Sequence, residues 1–326
     1  MNRNARIFVA GHRGLAGSAI VRALRANGYR NLLLRTREEL DLTDKHETAF
    51  FFDTASPEYV FLAAARVGGI YANSTYPADF IRDNLSIQTN VIHYAAMSGV
   101  KRLLFLGSTC VYPRDCPQPM REEHLMTGPL EKTNSAYALA KIAGIEMCRA
   151  YNHQHNTAFA AVMPTNLYGP GDNYHPANSH VLPALIRRFH EAVVNGRDTV
   201  ELWGSGRAVR DFLHVDDMAS ACVHLMRLPD RTHVEEADKL YWPILNVGSG
   251  VGVSIRDLAT MIAEETWYRG RIVFDNTKPD GTPIKLTDSS RMKSLGWNPV
   301  VSLKDGLSRT YASFLQEMEQ GTLRSV

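Results

Sequence analysis

Short apolar runs alternate with helical patterns along the first half of the chain. Four runs have the continuous apolar character of strands that are buried on both faces, namely residues 6–10, 32–34, 59–65 and 102–106. A helical pattern through Ile20, Val21 and Leu24 follows the first run, and residues 79–97 predict a long amphipathic helix. A further strand is expected to end within residues 41–44 and to turn there into a helix. This alternation predicts an α/β fold built on a Rossmann-type, doubly wound parallel sheet.

The second half of the chain predicts a smaller α/β substrate lobe that is interleaved with this sheet. A turn-rich stretch at residues 170–176 marks the entry to the lobe. Helices are predicted at residues 180–195 and 216–228, and strands at residues 199–203 and 244–248. We expect a nucleotide-binding domain at residues 1–170, completed by about 210–228 and 240–250, and a mainly substrate-binding lobe at residues 171–326.

The composition narrows the classes of function. The chain has 326 residues, of which 44% are hydrophobic and 21% charged, and its net charge is +2. A charge so close to balance predicts no nucleic-acid partner. No apolar run approaches membrane-spanning length, and the first run is too short for a signal peptide, so we expect a cytoplasmic protein without a membrane partner. The four cysteines have no paired metal-binding spacing, and no metal site is expected.

Three glycines follow the first strand at the spacing Gly11-x-x-Gly14-x-x-Gly17. Glycines between a strand and a helix let a pyrophosphate approach the backbone amides of the helix N-terminus, where the helix dipole favours an anion. The motif therefore predicts a dinucleotide-binding site at the start of the chain. Its spacing points toward the short-chain dehydrogenases/reductases.

Arg37 lies 20 residues after Gly17, where a site for NAD usually has a carboxylate for the ribose hydroxyls. An arginine at this position suits a 2′-phosphate, so the sequence favours NADP(H) over NAD. Arg13 would add a second positive charge. Asp41 or Thr43 would cap the next helix or contact the adenine. The alternative is that these arginines are solvated surface residues.

Tyr137 and Lys141 are four residues apart and would project from one helix face. An ammonium one turn away is expected to lower the pKa of the phenol, which would then protonate a carbonyl oxygen as hydride arrives. Ser108 comes just after the strand at residues 102–106, at the edge of the sheet that faces ligands, and is a candidate second donor to that oxygen. The alternatives are an exposed helix face and a serine that only caps a turn.

Taken together and in this order, these motifs resemble the extended short-chain dehydrogenase/reductase family that acts on nucleotide sugars. Further segments are similar to the GDP-L-fucose synthases, among them Leu34-Arg-Thr-Arg37-Glu-Glu-Leu, Met163-Pro-Thr-Asn-Leu-Tyr-Gly169 and residues 178–190. The resemblance covers nearly the whole chain. It implies NADPH as cofactor, GDP-4-keto-6-deoxy-D-mannose as substrate, epimerisation at C3 and C5, and reduction at C4. It also implies a homodimer paired through helices 79–97 and 136–151.

The resemblance also assigns roles to individual residues. The reductive triad would be Ser108, Tyr137 and Lys141, and the epimerisation acid/base pair Cys110 and His180. Cofactor contacts are implied for Gly11, His12, Arg13, Gly14, Leu15, Ala16, Gly17, Arg37, Asp41, Leu42, Leu106, Gly107, Ser108, Tyr137, Lys141, Pro164, Thr165, Asn166, Leu167 and His180. Substrate contacts are implied for Arg188, Trp203, Arg210 and Asp280.

Two alternatives to this reading stay open. One is a GDP-L-colitose synthase or a related nucleotide-sugar epimerase/reductase, since one hydroxyl of the sugar changes only a few pocket contacts. The other is a catalytically silent NADP-binding sensor. Because Tyr137 and Lys141 are both present, the sequence favours an enzyme.

Overall fold

A computed structural model describes residues 1–176, 178–229, 243–278 and 281–325. Its strands are β1 (Ile7–Ala10), β2 (Leu32–Leu33), β3 (Tyr59–Leu62), β4 (Arg102–Leu106), β5 (Phe159–Pro164), β6 (Asn166–Tyr168), β7 (Thr199–Trp203), β8 (Val209–His214), β9 (Ile244–Val247), β10 (Gly252–Ser254), β11 (Arg271–Asp275) and β12 (Ile284–Lys285). Its helices are α1 (Leu15–Ala26), α2 (Lys45–Ala55), α3 (Ile70–Thr75), α4 (Pro77–Met97), α5 (Ser135–His155), α6 (Val181–Val194), α7 (Val215–Arg227), α8 (Ile255–Glu265), α9 (Ser290–Ser294) and α10 (Leu303–Glu319).

A six-stranded parallel sheet forms the centre of the first half, in the order β2-β1-β3-β4-β5-β9. The chain starts at β1, moves outward to β2, and then crosses back over β1 to β3 and onward. This reversal of direction beside β1 confirms the predicted doubly wound sheet. The strand expected at residues 244–248 is β9, which joins the sheet beside β5.

Both faces of the sheet are buried, as the apolar runs predicted. Along β1, Ile7 and Val9 belong to one apolar core, while Phe8 and Ala10 belong to the core on the opposite face. Helices α1 and α7 cover the first face, and α2, α4 and α5 cover the second. The ring centroids of Phe8 and Phe51 lie 4.5 Å apart in the second core. Alternation of one strand's side chains between two cores requires helices on both sides.

A third apolar core lies within the second lobe and includes Phe189, Leu202 and Phe314. The lobe contains a mixed sheet in the order β10-β8-β12, with β6 paired to β8, and a separate parallel pair of β7 and β11. Only Thr165 separates β5 of the first sheet from β6 of the second. The chain therefore passes between the two sheets at this residue.

Three sequence predictions about local structure need correction. The strand expected to end within residues 41–44 is absent, because the Asp41 carboxylate accepts hydrogen bonds from the backbone and hydroxyl of Thr43 and so forms a local turn. Neither Asp41 nor Thr43 caps α2; Asp44 does, accepting from the amides of His46 and Glu47. The strand predicted at residues 59–65 ends at Leu62.

No helix in the described part of the chain is long and apolar enough to cross a membrane.

Candidate active site

The glycine loop joins β1 to α1 and is shaped for close approach by a ligand. Gly11 has a φ of +80°, and a side chain there would place its Cβ 2.7 Å from the amide nitrogen of Ala64. A side chain at Gly17 would overlap the carbonyl of Gly11, so the first turn of α1 packs against the loop only without one. Gly14 is the N-cap of α1 and offers no side chain to its first amides, which belong to Leu15, Ala16 and Gly17. These amides suit a pyrophosphate.

His12 and Arg13 lie within this loop. Nδ1 of His12 is buried and has no hydrogen-bond partner in the described part of the chain, so the loop has an unsatisfied polar atom that a ligand would pair. Burial, together with the charge of Arg13, lowers the pKa of His12. The glycines, the uncapped helix and the unpaired nitrogen all fit a bound dinucleotide.

Arg37 lies beyond β2 with 74% of its side chain exposed, and its Nη2 is 3.8 Å from the Asp41 carboxylate. Hydrogen bonds from its own backbone and from Thr36 lower the pKa of Glu38, and the charges of Arg13 and Arg37 lower it further. Both arginines therefore lie near one carboxylate, as a shared 2′-phosphate site requires. Leu42 is buried, and its carbonyl accepts from the Asn90 side chain at 2.9 Å.

Ser108 follows β4 at the C-terminal edge of the sheet, after Leu106 and Gly107. A side chain at Gly107 would overlap Met163 of β5, so glycine permits these two strand ends to pack closely. The Ser108 hydroxyl accepts from the amide of Cys110 at 3.2 Å and forms a hydrogen bond with the Tyr137 side chain. Ser108 thus caps the short turn after β4 and also contacts the candidate proton donor.

Tyr137 and Lys141 lie one turn apart on α5, as predicted, with the Lys141 ammonium 5.7 Å from the centre of the Tyr137 ring. The predicted pKa effect is wrong for this structure. Burial raises the pKa of Tyr137, the charge of Cys110 raises it further, and the Ser108 hydrogen bond only partly offsets this. Burial lowers the pKa of Lys141 to about 7, because water is excluded from its ammonium group. Tyr137 is thus a protonated donor at neutral pH.

Cys110 is half-buried beside Ser108, and the side-chain amide of Asn134 lies 3.3 Å from its sulfur. Sequence reasoning missed Asn134. Asn134 is the N-cap of α5, and no local pattern indicates its contact with Cys110, which lies 24 residues earlier in the chain. An amide N–H at this distance can donate a hydrogen bond to the sulfur and so holds the thiol beside Ser108.

His180 is the N-cap of α6, and its side chain is exposed. The surrounding protein nevertheless displaces part of the water around the ring, and this desolvation lowers the pKa of His180. The segment before His180 is fixed by a hydrogen bond of 2.8 Å from the amide of Gly69 to the carbonyl of Asn178. Helix α3 follows Gly69 and contacts the turn of residues 132–134, which carries Asn134. These contacts connect the segment before His180 to the turn that carries Asn134, whose amide contacts Cys110.

The predicted cofactor segment from Pro164 to Leu167 lies where the chain passes from one sheet to the other. The side chains of Thr165 and Asn166 both donate to the carbonyl of Asp211, at 3.0 and 2.9 Å. Their side chains thus join the two sheets, and this fixes the backbone of the segment.

The predicted substrate residues lie on the second lobe. Arg188 donates to the carbonyl of Glu201 at 2.8 Å, two residues before Trp203, whose side chain is 71% exposed. Arg210 donates to the carbonyl of Thr282 at 2.7 Å, and burial lowers its pKa. Asp280 lies outside the described residues.

The residues on either side of Asp280 contact two of the other three substrate candidates, Trp203 and Arg210. The Lys278 ammonium lies 5.8 Å from the Trp203 ring, and Thr282 accepts from Arg210. Two arginines and an exposed indole on this lobe are suited to a pyrophosphate and a flat ring.

Comparison with known proteins agrees with this geometry. The model of the NAD dependent epimerase/dehydratase family matches residues 7–248. The chain is 59% identical to putative GDP-L-fucose synthase 2 of Arabidopsis thaliana, over 98% of the chain and 94% of that protein. It is 52% identical to GDP-L-fucose synthase of Escherichia coli (strain K12), over 97% of the chain and 98% of that protein.

A solved structure is also similar over nearly its full length. It is a GDP-D-glycero-L-gluco-heptose synthase from Campylobacter jejuni in the presence of NADPH, with a TM-score of 0.89 and 36% identity over 97% of this chain and 99% of that one. The chain therefore belongs to the NAD dependent epimerase/dehydratase family, with GDP-L-fucose synthases among its relatives.

Proposed function

We propose that this protein is a bifunctional NADPH-dependent enzyme that converts GDP-4-keto-6-deoxy-D-mannose to GDP-L-fucose. The observation that carries the proposal is the position of the Cys110 thiol, held by Asn134, directly beside the hydrogen-bonded pair of Ser108 and Tyr137. A simple reductase needs only Ser108 and Tyr137 to bind and protonate the ketone oxygen, whereas an epimerase also needs a base that removes a proton from the sugar ring. The similarity to GDP-L-fucose synthases over nearly the whole chain supports this choice of sugar.

NADP(H) is the proposed cofactor, and when bound it supplies the hydride for C4. The glycine loop would hold its pyrophosphate, and Arg37 with Arg13 would hold its 2′-phosphate. Leu106 and Gly107, at the end of β4, would contact the nicotinamide half of the cofactor. The structural neighbour in the presence of NADPH supports this assignment. Ser108 and Tyr137 hold the ketone oxygen of the substrate, and Tyr137 gives that oxygen its proton.

Epimerisation uses the same ketone. The hydrogens at C3 and C5 are acidic because the adjacent carbonyl takes up the negative charge, which Ser108 and Tyr137 stabilise as an enolate. For each inversion, Cys110 as thiolate removes the proton from one face of the ring, and protonated His180 donates a proton to the opposite face. Between the two inversions the thiol loses its proton to water and the imidazole regains one from water. Arg188, Trp203 and Arg210 would hold the GDP moiety, with Asp280 as a further substrate contact.

The proposal includes the division of the chain and its assembly. Residues 1–170, with about 210–228 and 240–250, form the NADP-binding domain, and residues 171–326 are mainly the substrate lobe. A homodimer paired through α4 and α5 is supported by apolar side chains that these helices expose, Met97 and Leu139. A cytoplasmic location is supported by the four free cysteines, since reducing compartments keep thiols unpaired.

The direct test mixes the purified protein with GDP-4-keto-6-deoxy-D-mannose and NADPH and identifies the sugar product by NMR. We expect stoichiometric NADPH consumption and GDP-L-fucose as the product. A Tyr137→Phe variant controls for contaminating reductases.

Two other outcomes would contradict the proposal in different ways. A reduced GDP sugar with unchanged configuration at C3 and C5 would identify a simple reductase. Absence of any product with this substrate, together with reduction of a GDP-keto-heptose or conversion to GDP-L-colitose from its own keto precursor, would reassign the substrate.

A further inference from the structure

After α10, the C-terminal tail (residues 320–325) runs back toward the glycine loop between β1 and α1. The chain turns at Gly321, whose φ is +65°, and the amide of Tyr174 then donates to the carbonyl of Arg324 at 2.9 Å. Leu323 packs against the apolar core of the second lobe. The Glu317 carboxylate, near the end of α10, accepts from the amide of Gly171 at 3.0 Å. The tail is thus tied to the turn that follows β6.

This arrangement brings the side chain of Arg324 to the glycine loop. A side chain at Gly14 would place its Cβ 3.9 Å from Nη1 of Arg324. In the described part of the chain, the Arg324 guanidinium donates no hydrogen bond. Its charge acts on the nearby carboxyl group of Asp172 and lowers the pKa of that group. Gly14 is the residue past which a pyrophosphate reaches the helix amides.

The two positive groups, the N-terminus of α1 and the Arg324 guanidinium, together favour a bound anion. The N-terminus of α1 carries the positive end of the helix dipole, and a guanidinium beside it is unfavourable unless a negative group lies between them. Asp172 does not fill this role well. It is buried, its Oδ2 has no hydrogen-bond partner in the described residues, and burial raises its pKa to about 7 although the charge of Arg324 opposes this rise.

We propose that Arg324 is a cofactor-binding residue, whose guanidinium contacts the pyrophosphate of the dinucleotide held at the glycine loop. This inference rests on the proposed function, because it requires that a dinucleotide binds there. A planar fork of N–H donors fits two phosphate oxygens, and the charge of the pyrophosphate separates Arg324 from the helix terminus. The segment after α10 thereby contributes a residue to the cofactor site.

The test measures dissociation constants of NADPH and NADH from the fluorescence of the reduced nicotinamide. The proteins are the wild type, Arg324→Ala, Arg324→Lys, Arg37→Ala and the control Arg30→Ala, which removes an exposed arginine before β2, at the opposite edge of the sheet. We expect Arg324→Ala to weaken both dinucleotides equally, about tenfold or more, because both contain the pyrophosphate. Arg324→Lys should lose less, and Arg37→Ala should weaken NADPH alone.

Unchanged affinity of Arg324→Ala for both dinucleotides, with a wild type that binds them, overturns this inference and leaves the proposed function standing. A loss confined to NADPH also overturns it, because Arg324 would then contact the 2′-phosphate. If the loss is accompanied by a lower melting temperature of the dinucleotide-free protein, and Arg324→Lys shows the same loss as Ala, the role is structural. A wild type that binds neither dinucleotide refutes the proposed function itself.

Discussion

The Lys141 ammonium donates its hydrogen bond to the carbonyl of Leu106 at 2.8 Å, so the helix of the candidate proton donor is fixed to the end of β4. The same ammonium lies 4.6 Å from the centre of the Phe105 ring. Lys141 thus positions α5 against the strand that delivers Ser108. The candidate donor and its serine partner owe their contact to this junction, and variants on either side of it should affect reduction.

Replacing Tyr137 with Phe should abolish ketone reduction with little effect on NADPH affinity. The change removes the candidate proton donor and its hydrogen bond to Ser108 and keeps the aromatic ring that packs near Phe80. Loss of a general acid corresponds to a decrease in kcat on the order of 100-fold or more. Single-turnover reduction with saturating NADPH measures it. A variant that reduces the substrate at the wild-type rate would remove Tyr137 from the mechanism.

Replacing Lys141 with Met should change how the free energy of unfolding depends on pH. Burial lowers the pKa of Lys141 from 10.5 to about 7, so between these values the unfolded wild type binds more protons than the folded protein, and this group makes stability rise with pH. The Met variant lacks this contribution. The stability of the variant relative to the wild type should therefore be greatest at pH 7 and decline toward pH 10.5. Urea unfolding of both proteins across this range measures the difference; parallel curves would show that Lys141 titrates normally.

The sequence predicted the features that local patterns encode. Apolar runs predicted five of the six strands of the parallel sheet, and β5 was missed. The spacing of Gly11, Gly14 and Gly17 sufficed for the loop, because the loop is determined by neighbours in the chain. The pKa of Tyr137 was predicted wrongly because helix spacing reports which charge is near but not how much water is lost. The position of Arg324 beside the glycine loop brings together residues that are far apart in the chain, and no periodicity predicts such a pairing.

Replacing Arg37 with Ala should reduce the preference for NADPH over NADH. Among the described residues, the Arg37 guanidinium has a single ion pair, a 3.8 Å contact with Asp41, so it is available to a 2′-phosphate. A charge-assisted hydrogen bond contributes about 1.5–3 kcal/mol, which corresponds to roughly a tenfold or larger loss in NADPH affinity and none in NADH affinity. Equal kcat/KM values for the two cofactors in the wild type would contradict the assignment.

Replacing Asn134 with Ala should slow epimerisation more than reduction. Its amide lies 3.3 Å from the Cys110 sulfur and would stabilise the thiolate that removes the substrate proton. Deuterium incorporation from D2O at C3 and C5, measured against NADPH oxidation in the same reaction, separates the two effects. Thr133→Ala, at the neighbouring exposed position, is the matched control. An equal decrease in both rates would indicate a general disturbance of the turn at residues 132–134.

Replacing Cys110 and His180 separately should distinguish removal of the substrate proton from its return. In Cys110→Ser, exchange of the C3 and C5 hydrogens with D2O should stop, while Ser108 and Tyr137 still support hydride transfer to the unepimerised ketone. The product would then be a GDP-6-deoxy sugar with its ring configuration unchanged. In His180→Gln, proton removal by Cys110 should continue and some deuterium should enter with retention of configuration, while inversion collapses because no donor remains on the opposite face. NMR and mass spectrometry of the products read both outcomes. If Cys110→Ser retains full exchange and still makes GDP-L-fucose, the Cys110 thiol is only a packing group, and another residue near Ser108 and Tyr137 must be the base.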